Sequence, residues 1–115
     1  MPKESFSAVE IFYPRFDRDR LVALLRERLA GLTAVLPVKH AVLFGSWANG
    51  KATPFSDIDL LVIYDDPPRE DAYKLVWQHL DLRGVEPHVY SEREAEQRQN
   101  SLDRMTQGGV VLFPS

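Results

Sequence analysis

Apolar and polar positions follow one another along this chain in two rhythms, and each rhythm marks out elements. Leu21, Leu24, Leu25, Leu29 and Leu32 recur at helical spacing, with Asp17 or Asp19 as a cap and with Gly31 and Pro37 as stop signals. The apolar run Lys39-His40-Ala41-Val42-Leu43-Phe44 closes on Gly45 and reads as a buried strand. One or two helical turns are expected across Trp47-Ala48-Asn49-Gly50, and Thr53-Pro54 marks a loop. Residues 57–64, Asp-Ile-Asp-Leu-Leu-Val-Ile-Tyr, read as the central strand. Its apolar half is nearly continuous, as a strand covered on both faces requires.

After a turn at Asp65-Asp66-Pro67-Pro68, a helix is predicted over 69–83, with Ala72, Leu75, Val76, His79 and Leu80 on one face and Gly84 ending it. Residues 85–90 form a third strand. Ser91 with Glu94 three positions on is a capping box, opening a mostly polar helix that runs to about Gln107. Gly108-Gly109 precedes a last strand over 110–113. Strands alternating with helices argue for an α/β or α+β fold, a mixed sheet with helices packed against it. Strand order is not legible from this pattern.

Residues 1–16 carry Phe6, Ile11, Phe12, Tyr13 and Phe16 with two prolines and no sustained period. They read as an N-terminal arm, packed on its own domain or on a partner chain. Residues 17–115 are expected to form the one domain, since 115 residues suit a single core.

Composition narrows the class. A hydrophobic share of 44% and a charged share of 27% are those of an ordinary soluble domain. The absence of cysteine rules out disulfides and thiolate zinc sites. No apolar run approaches the roughly 20 residues that span a bilayer, and Met1–Phe16 lacks the order of a signal peptide. A cytoplasmic protein with no membrane contact is therefore expected. With a net charge of −3 and both signs mixed, the chain lacks the basic signature of direct nucleic-acid binding.

Asp57 and Asp59 carry the most specific chemistry. Alternate strand residues face the same way, with Cα atoms roughly 6.7 Å apart. Two carboxylates so placed can converge on cations about 3.5–4 Å apart, the spacing of two-metal phosphoryl-transfer sites. Oxygen-only ligands favour Mg²⁺, with Mn²⁺ as an alternative, over zinc. Gly45-Ser46 follows the preceding strand and opens a short helix. The glycine permits a tight turn and close approach of a phosphate, free amides at a helix start attract anions, and the Ser46 hydroxyl adds a donor. An anion cradle beside a cation site describes a binding place for a Mg-bound nucleoside triphosphate.

Competing motifs fail on particular residues. An EF-hand would need an oxygen ligand and a glycine where Leu61 and Val62 stand. Gly45-x4-Gly50-Lys51 nearly spells a P-loop, yet Ala52 replaces the Mg-binding Ser or Thr, and Pro54 interrupts the helix that motif needs. The plain alternative for Asp57 and Asp59 is a solvated, capped strand start. His79 reads as a core histidine and His40 as structural at its strand edge. Tyr73 and Trp77 are expected to pack core or partner surface.

Gly45-Ser46, ten residues, then Asp57-Ile58-Asp59 matches the Gly-Ser-x10-Asp-x-Asp pattern of the DNA polymerase β-like nucleotidyltransferase superfamily. With each fixed residue used at roughly 5–7%, chance gives this pattern in about one chain of this length in a thousand, so it outweighs the plain alternative. Ser56-Asp57-Ile58-Asp59-Leu60-Leu61-Val62 resembles the minimal branch, which includes antitoxins paired with helical HEPN-type toxins. The resemblance covers about 17–113. It implies a nucleotidyltransferase fold, two Mg²⁺ ions held by Asp57 and Asp59, and a third carboxylate on a later strand. Glu86 is the candidate for that acid, where the family more often has Asp; His88, on the same face, is the alternative, and a site of two carboxylates alone is the third possibility. The family often has Arg where this chain has Asn49, so Lys51 is the candidate for the missing phosphate contact, or else a solvated loop lysine.

The resemblance further implies transfer of a nucleotidyl group, AMP from Mg-ATP, to a hydroxyl acceptor, a tyrosine of a cognate HEPN-type partner. Two other readings stay open: an antitoxin that neutralises its partner by contact alone, and transfer to a small molecule such as an antibiotic, for which a homo-oligomer would have to complete the acceptor pocket.

Overall fold

The computed structural model describes residues 14–53 and 55–114. Most of the expected arm, residues 1–13, lies outside the described residues. Helix α1 spans Pro14–Leu32. It therefore opens before Asp17 and Asp19, and neither aspartate stands ahead of it as a cap. Proline suits a first helical position, where its fixed φ is already helical and its missing N–H has no partner to lose.

Strand β1 (Val38–Phe44) leads through Gly45 into the short helix α2 (Ser46–Asn49). Strand β2 spans Ile58–Tyr64, helix α3 Ala72–Leu80 and strand β3 Val85–Ser91. Helices α4 (Glu92–Gln97) and α5 (Gln99–Met105) precede strand β4 (Val110–Phe113). The strands form one mixed sheet in the order β3-β2-β1-β4. β1 runs antiparallel to both β2 and β4, and β2 runs parallel to β3.

Two helices are shorter than their periodicity suggests. α3 occupies only the middle of the predicted 69–83, and it ends at Asp81, which adopts a left-handed conformation (φ 47°), rather than at Gly84. At one end the Arg69 guanidinium is drawn to Asp71 and to the Val35 carbonyl. At the other, Arg28 of α1 donates to the carbonyl of Leu80, satisfying an orphan acceptor of the last turn. The polar helix expected over 92–107 is broken at Arg98 into α4 and α5. Its start is as predicted: Ser91 Oγ accepts from Glu94 N, and Glu94 Oε1 accepts from Ser91 N.

The sheet is covered on both faces. On one, Leu25, Leu29, Leu32 and Leu36 pack with Ala72, Val76 and Leu80 of α3 against Leu43, Leu60 and Val62. Each such leucine, fully buried, contributes roughly 1.5–3 kcal/mol of burial. On the other, Val42, Phe44 and Leu61 pack under Ala95 and Leu102 of α4 and α5. The double cover explains the nearly continuous apolar run of β2. Tyr73 and Trp77 do not join the core; both are more than half exposed on α3. His79 is half-buried, its Nδ1 within 3.1 Å of the Leu75 carbonyl, as a structural histidine would be. Among the described residues, no helix is long and apolar enough to cross a membrane.

Candidate active site

At one end of the sheet β1 finishes while β2 and β3 begin, and this is where the chemistry-bearing residues gather. Gly45 ends β1 with φ 77° and ψ −150°, a backbone conformation open to glycine. Its carbonyl accepts from Ala48 N (3.0 Å) and Asn49 N (3.1 Å), which turns the chain at once into α2. Trp47 and Ala48 are buried and anchor that short helix to the core. Ser46, half-buried, is its first residue, where backbone amides lack intrahelical acceptors.

The loop between α2 and β2 is tied by Thr53 N donating to Ser56 Oγ (2.8 Å) and Ser56 N donating to Thr53 O (3.0 Å). It delivers Asp57 immediately before β2. Ile58 N then donates to Gly84 O (2.8 Å), joining the start of β2 to the start of β3. Asp57 is exposed and Asp59 half-buried. Asp59 lies opposite Phe44 across the antiparallel pair and beside Glu86 across the parallel one.

Gly45 and Asp59 come into direct proximity. A Cβ on Gly45 would overlap the Asp59 carboxylate, closer to Oδ2 than real Cβ atoms approach and 3.3 Å from Cγ. The turn after β1 and the carboxylate of β2 therefore share one small space, although fourteen positions separate them in sequence.

Burial pushes the Asp59 carboxyl above its ordinary value, and the neighbouring charge of Asp57 pushes it further, while His88 draws it back. Among the described residues, neither Asp57 nor Asp59 has a hydrogen-bond or ion-pair partner. Two adjacent carboxylates without a compensating cation fit an oxygen-seeking divalent ion. Mg²⁺ characteristically takes one or two carboxylates and completes its shell with water and substrate phosphates. Among the described residues, no three His, Asp or Glu side chains are grouped closely enough to hold a metal ion. Glu86 has the right register position but is exposed.

His88 is half-buried and pairs in register with Leu61. Its ring lies 5.5 Å from that of Phe44, tilted by 51°. Phe44 was no candidate from sequence; its place just ahead of Gly45 was the only signal. Asn49, where the family pattern often has Arg, closes the α2 turn instead: its side-chain oxygen accepts from Lys51 N at 3.1 Å. The Lys51 side chain is exposed, and its backbone N also donates to Ser46 O at 3.0 Å.

A sequence profile of the nucleotidyltransferase domain family matches residues 22–110. The chain belongs to that family. Among curated proteins nothing matches it. Two solved structures share the nucleotidyltransferase fold. One is a "putative nucleotidyltransferase" from Sulfolobus solfataricus, with TM-score 0.57, 21% identity, and 82% of this chain aligned to 80% of that one. The other is a mutant of the toxin-antitoxin MntA-HpeT, with TM-score 0.50, 19% identity, and 86% of this chain aligned to 74% of that one. The matched segment of this nucleotidyltransferase domain runs from α1 to the start of β4, so it contains Gly45, Ser46, Asp57, Asp59 and Glu86.

Proposed function

We propose that this nucleotidyltransferase domain transfers AMP from Mg-ATP to a hydroxyl, a tyrosine on a HEPN-type toxin partner, and so acts as an antitoxin in the cytoplasm. The observation that carries the reading is the contact of Gly45 with the Asp59 carboxylate. It supports reading the Gly45 turn as the phosphate cradle and the two acids as the cation holders of one triphosphate. The fold shared with MntA-HpeT supports a toxin partner.

In this reading Gly45, Ser46 and the first amides of α2 hold the β- and γ-phosphates, with Lys51 free to swing toward them. Asp57 and Asp59 would hold Mg²⁺, two ions when the site is full, and Glu86 would complete the second position. When bound, the metal supplies charge neutralisation along the triphosphate and polarises the α-phosphoryl group. The acceptor oxygen forms a bond to the α-phosphorus. The bond from that phosphorus to the bridging oxygen breaks, and pyrophosphate leaves with the electron pair. The acceptor proton passes to the Glu86 carboxylate or to water. Positioning and charge stabilisation then provide most of the rate.

Two observations favour a second reading, an antitoxin acting by contact alone. No three-acid group forms among the described residues, and Asn49 is spent on its own turn. One experiment separates the readings. The protein is incubated with Mg²⁺, α-labelled ATP and a lysate of its source, with Asp57→Asn as control. Label on one small protein, lost with the variant, supports transfer. No label, together with no nucleotide binding by calorimetry, leaves the contact-only antitoxin.

A further inference from the structure

Strand β2 runs between β1 and β3, so Asp59 has a neighbour on each side: Phe44 opposite it on β1 and Glu86 beside it on β3. His88 stands two residues beyond Glu86, in register with Leu61. Alternation along the strands puts His88 on the face that Asp59, Leu61 and Glu86 share. This is the face covered by α4 and α5, since Phe44 and Leu61 pack under those helices.

Neighbouring strands lie about 4.8 Å apart, so roughly 9.6 Å separates β1 from β3. The Phe44 and His88 ring centroids nevertheless approach to 5.5 Å. The rings therefore lean toward each other across β2 and meet between the levels of Asp59 and Leu61. Asp59 is half-buried, with the Gly45 turn against its Oδ2 and the two rings on the side toward the middle of the sheet. The electrostatics agree with this placement. After burial, the charges that act on the Asp59 carboxyl are those of Asp57, which pushes it up, and of His88, which draws it down.

Among the described residues, His88 has no hydrogen-bond or ion-pair partner. Nor do any three His, Asp or Glu side chains group there as a ligand set, so His88 does not join Asp57 and Asp59 as a third ligand. A carboxylate that ligates a metal is ordinarily held by a further hydrogen bond from the protein. We propose that His88 is a positioning residue: braced on Phe44, its ring donates an N–H to one oxygen of Asp59 and aims the other at the cation. This rests on the reading of Asp59 as a metal ligand. Packing on Phe44 fixes the imidazole plane, and the strand register fixes its place along β2.

Two substitutions separate donation from packing, because the two roles predict opposite orders. His88→Phe keeps a ring against Phe44 and removes the N–H. His88→Gln keeps an N–H donor and removes the ring. The probe is Mn²⁺ alone, titrated into each protein and read from the electron paramagnetic resonance signal of the free ion. If His88 positions Asp59, His88→Phe weakens Mn²⁺ binding by about 10–100-fold, while its metal-free melting temperature stays with that of the parent. His88→Gln then recovers most of the lost affinity. His88→Phe binding Mn²⁺ as the parent does, with His88→Gln the weaker variant, overturns the proposal and leaves His88 a packing residue. A Glu86→Gln background identifies the carboxylate concerned. There His88→Phe should weaken Mn²⁺ by the same factor; an effect that disappears assigns the donor to Glu86 and overturns its assignment to Asp59. The unmodified protein tests the underlying reading separately: no Mn²⁺ binding by it removes the metal site itself, and the role of His88 with it.

Discussion

Gly45 and Asp59 occupy a space that only one side chain can fill. The Asp59 carboxylate lies where a Cβ on Gly45 would project, and the turn of Gly45 at φ 77° is itself one that side chains resist. Gly50 has nearly the same backbone angle, φ 80°, with nothing within 4 Å of its would-be Cβ. Gly50, at ψ 12°, is in the ordinary left-handed region, whereas Gly45, at ψ −150°, is in one nearly restricted to glycine, so Gly45 carries the larger strain as well as the collision. Gly50→Ala should cost about 1–2 kcal/mol in urea denaturation, the strain of a left-handed residue. Gly45→Ala should cost more, about 3 kcal/mol, because strain and overlap add. It should also abolish Mg-dependent nucleotide binding by displacing Asp59. Equal losses for the two variants would remove both the larger strain and the collision at Gly45 from the account.

Asp59 also sets a pH dependence. Its carboxyl is raised above the ordinary 3.8, chiefly by burial and next by Asp57. Between that value and the raised one, the folded protein holds a proton that the unfolded chain has released. Metal-free stability therefore falls as pH rises through this window, and the penalty is fully present above it. Asp59→Asn removes the penalty, so the metal-free variant should melt above the parent at pH 7, measured by calorimetry. Mg²⁺ should raise the melting temperature of the parent and leave the variant unmoved. Any activity should fall by about 100-fold or more in the variant.

Glu86 stands beside Asp59 in the parallel register and is exposed; in the proposed transfer it is the base for the incoming hydroxyl. Glu86→Gln keeps the size and removes the base. Turnover should drop by roughly 100-fold, in the range of general-base catalysis, with nucleotide affinity little changed. A steady-state comparison that finds an unaltered kcat would exclude Glu86 from the reaction.

Ser91 is fully buried and holds the capping box that starts α4. Ser91→Ala should cost about 1 kcal/mol of stability in urea and spare nucleotide binding. α4 and α5 cover Phe44 and Leu61 but contribute no group to the carboxylate pair. A variant that lost binding along with stability would instead tie these helices to the site.

Much of the architecture is already legible in the chain. The leucines of α1, the apolar runs of β1 and β2 and the Ser91-Glu94 box are read from spacing alone. That works because helix and strand impose fixed periods on their own side chains. The spacing of Gly45-Ser46 to Asp57-Ile58-Asp59 likewise marks the site, since one short loop and two strand ends bring these residues together.

What spacing could not reach depends on contacts between distant segments. The sheet order β3-β2-β1-β4, with α1 and α3 packed together on one face and α4 and α5 on the other, is set by pairing and packing between segments far apart in the chain. At the end of α3, Arg28 of α1 satisfies the Leu80 carbonyl, and Arg69 is drawn away to the Val35 carbonyl, contacts that no spacing within the segment announces. The Phe44–His88 contact and the placing of Glu86 beside Asp59 follow from strand register. The sequence by itself determined which elements follow one another and nominated the candidate site residues, because local periodicity and short-range turns need no partner. Only the tertiary structure decided which of those residues share a space, because that is set by packing of segments far apart in the chain.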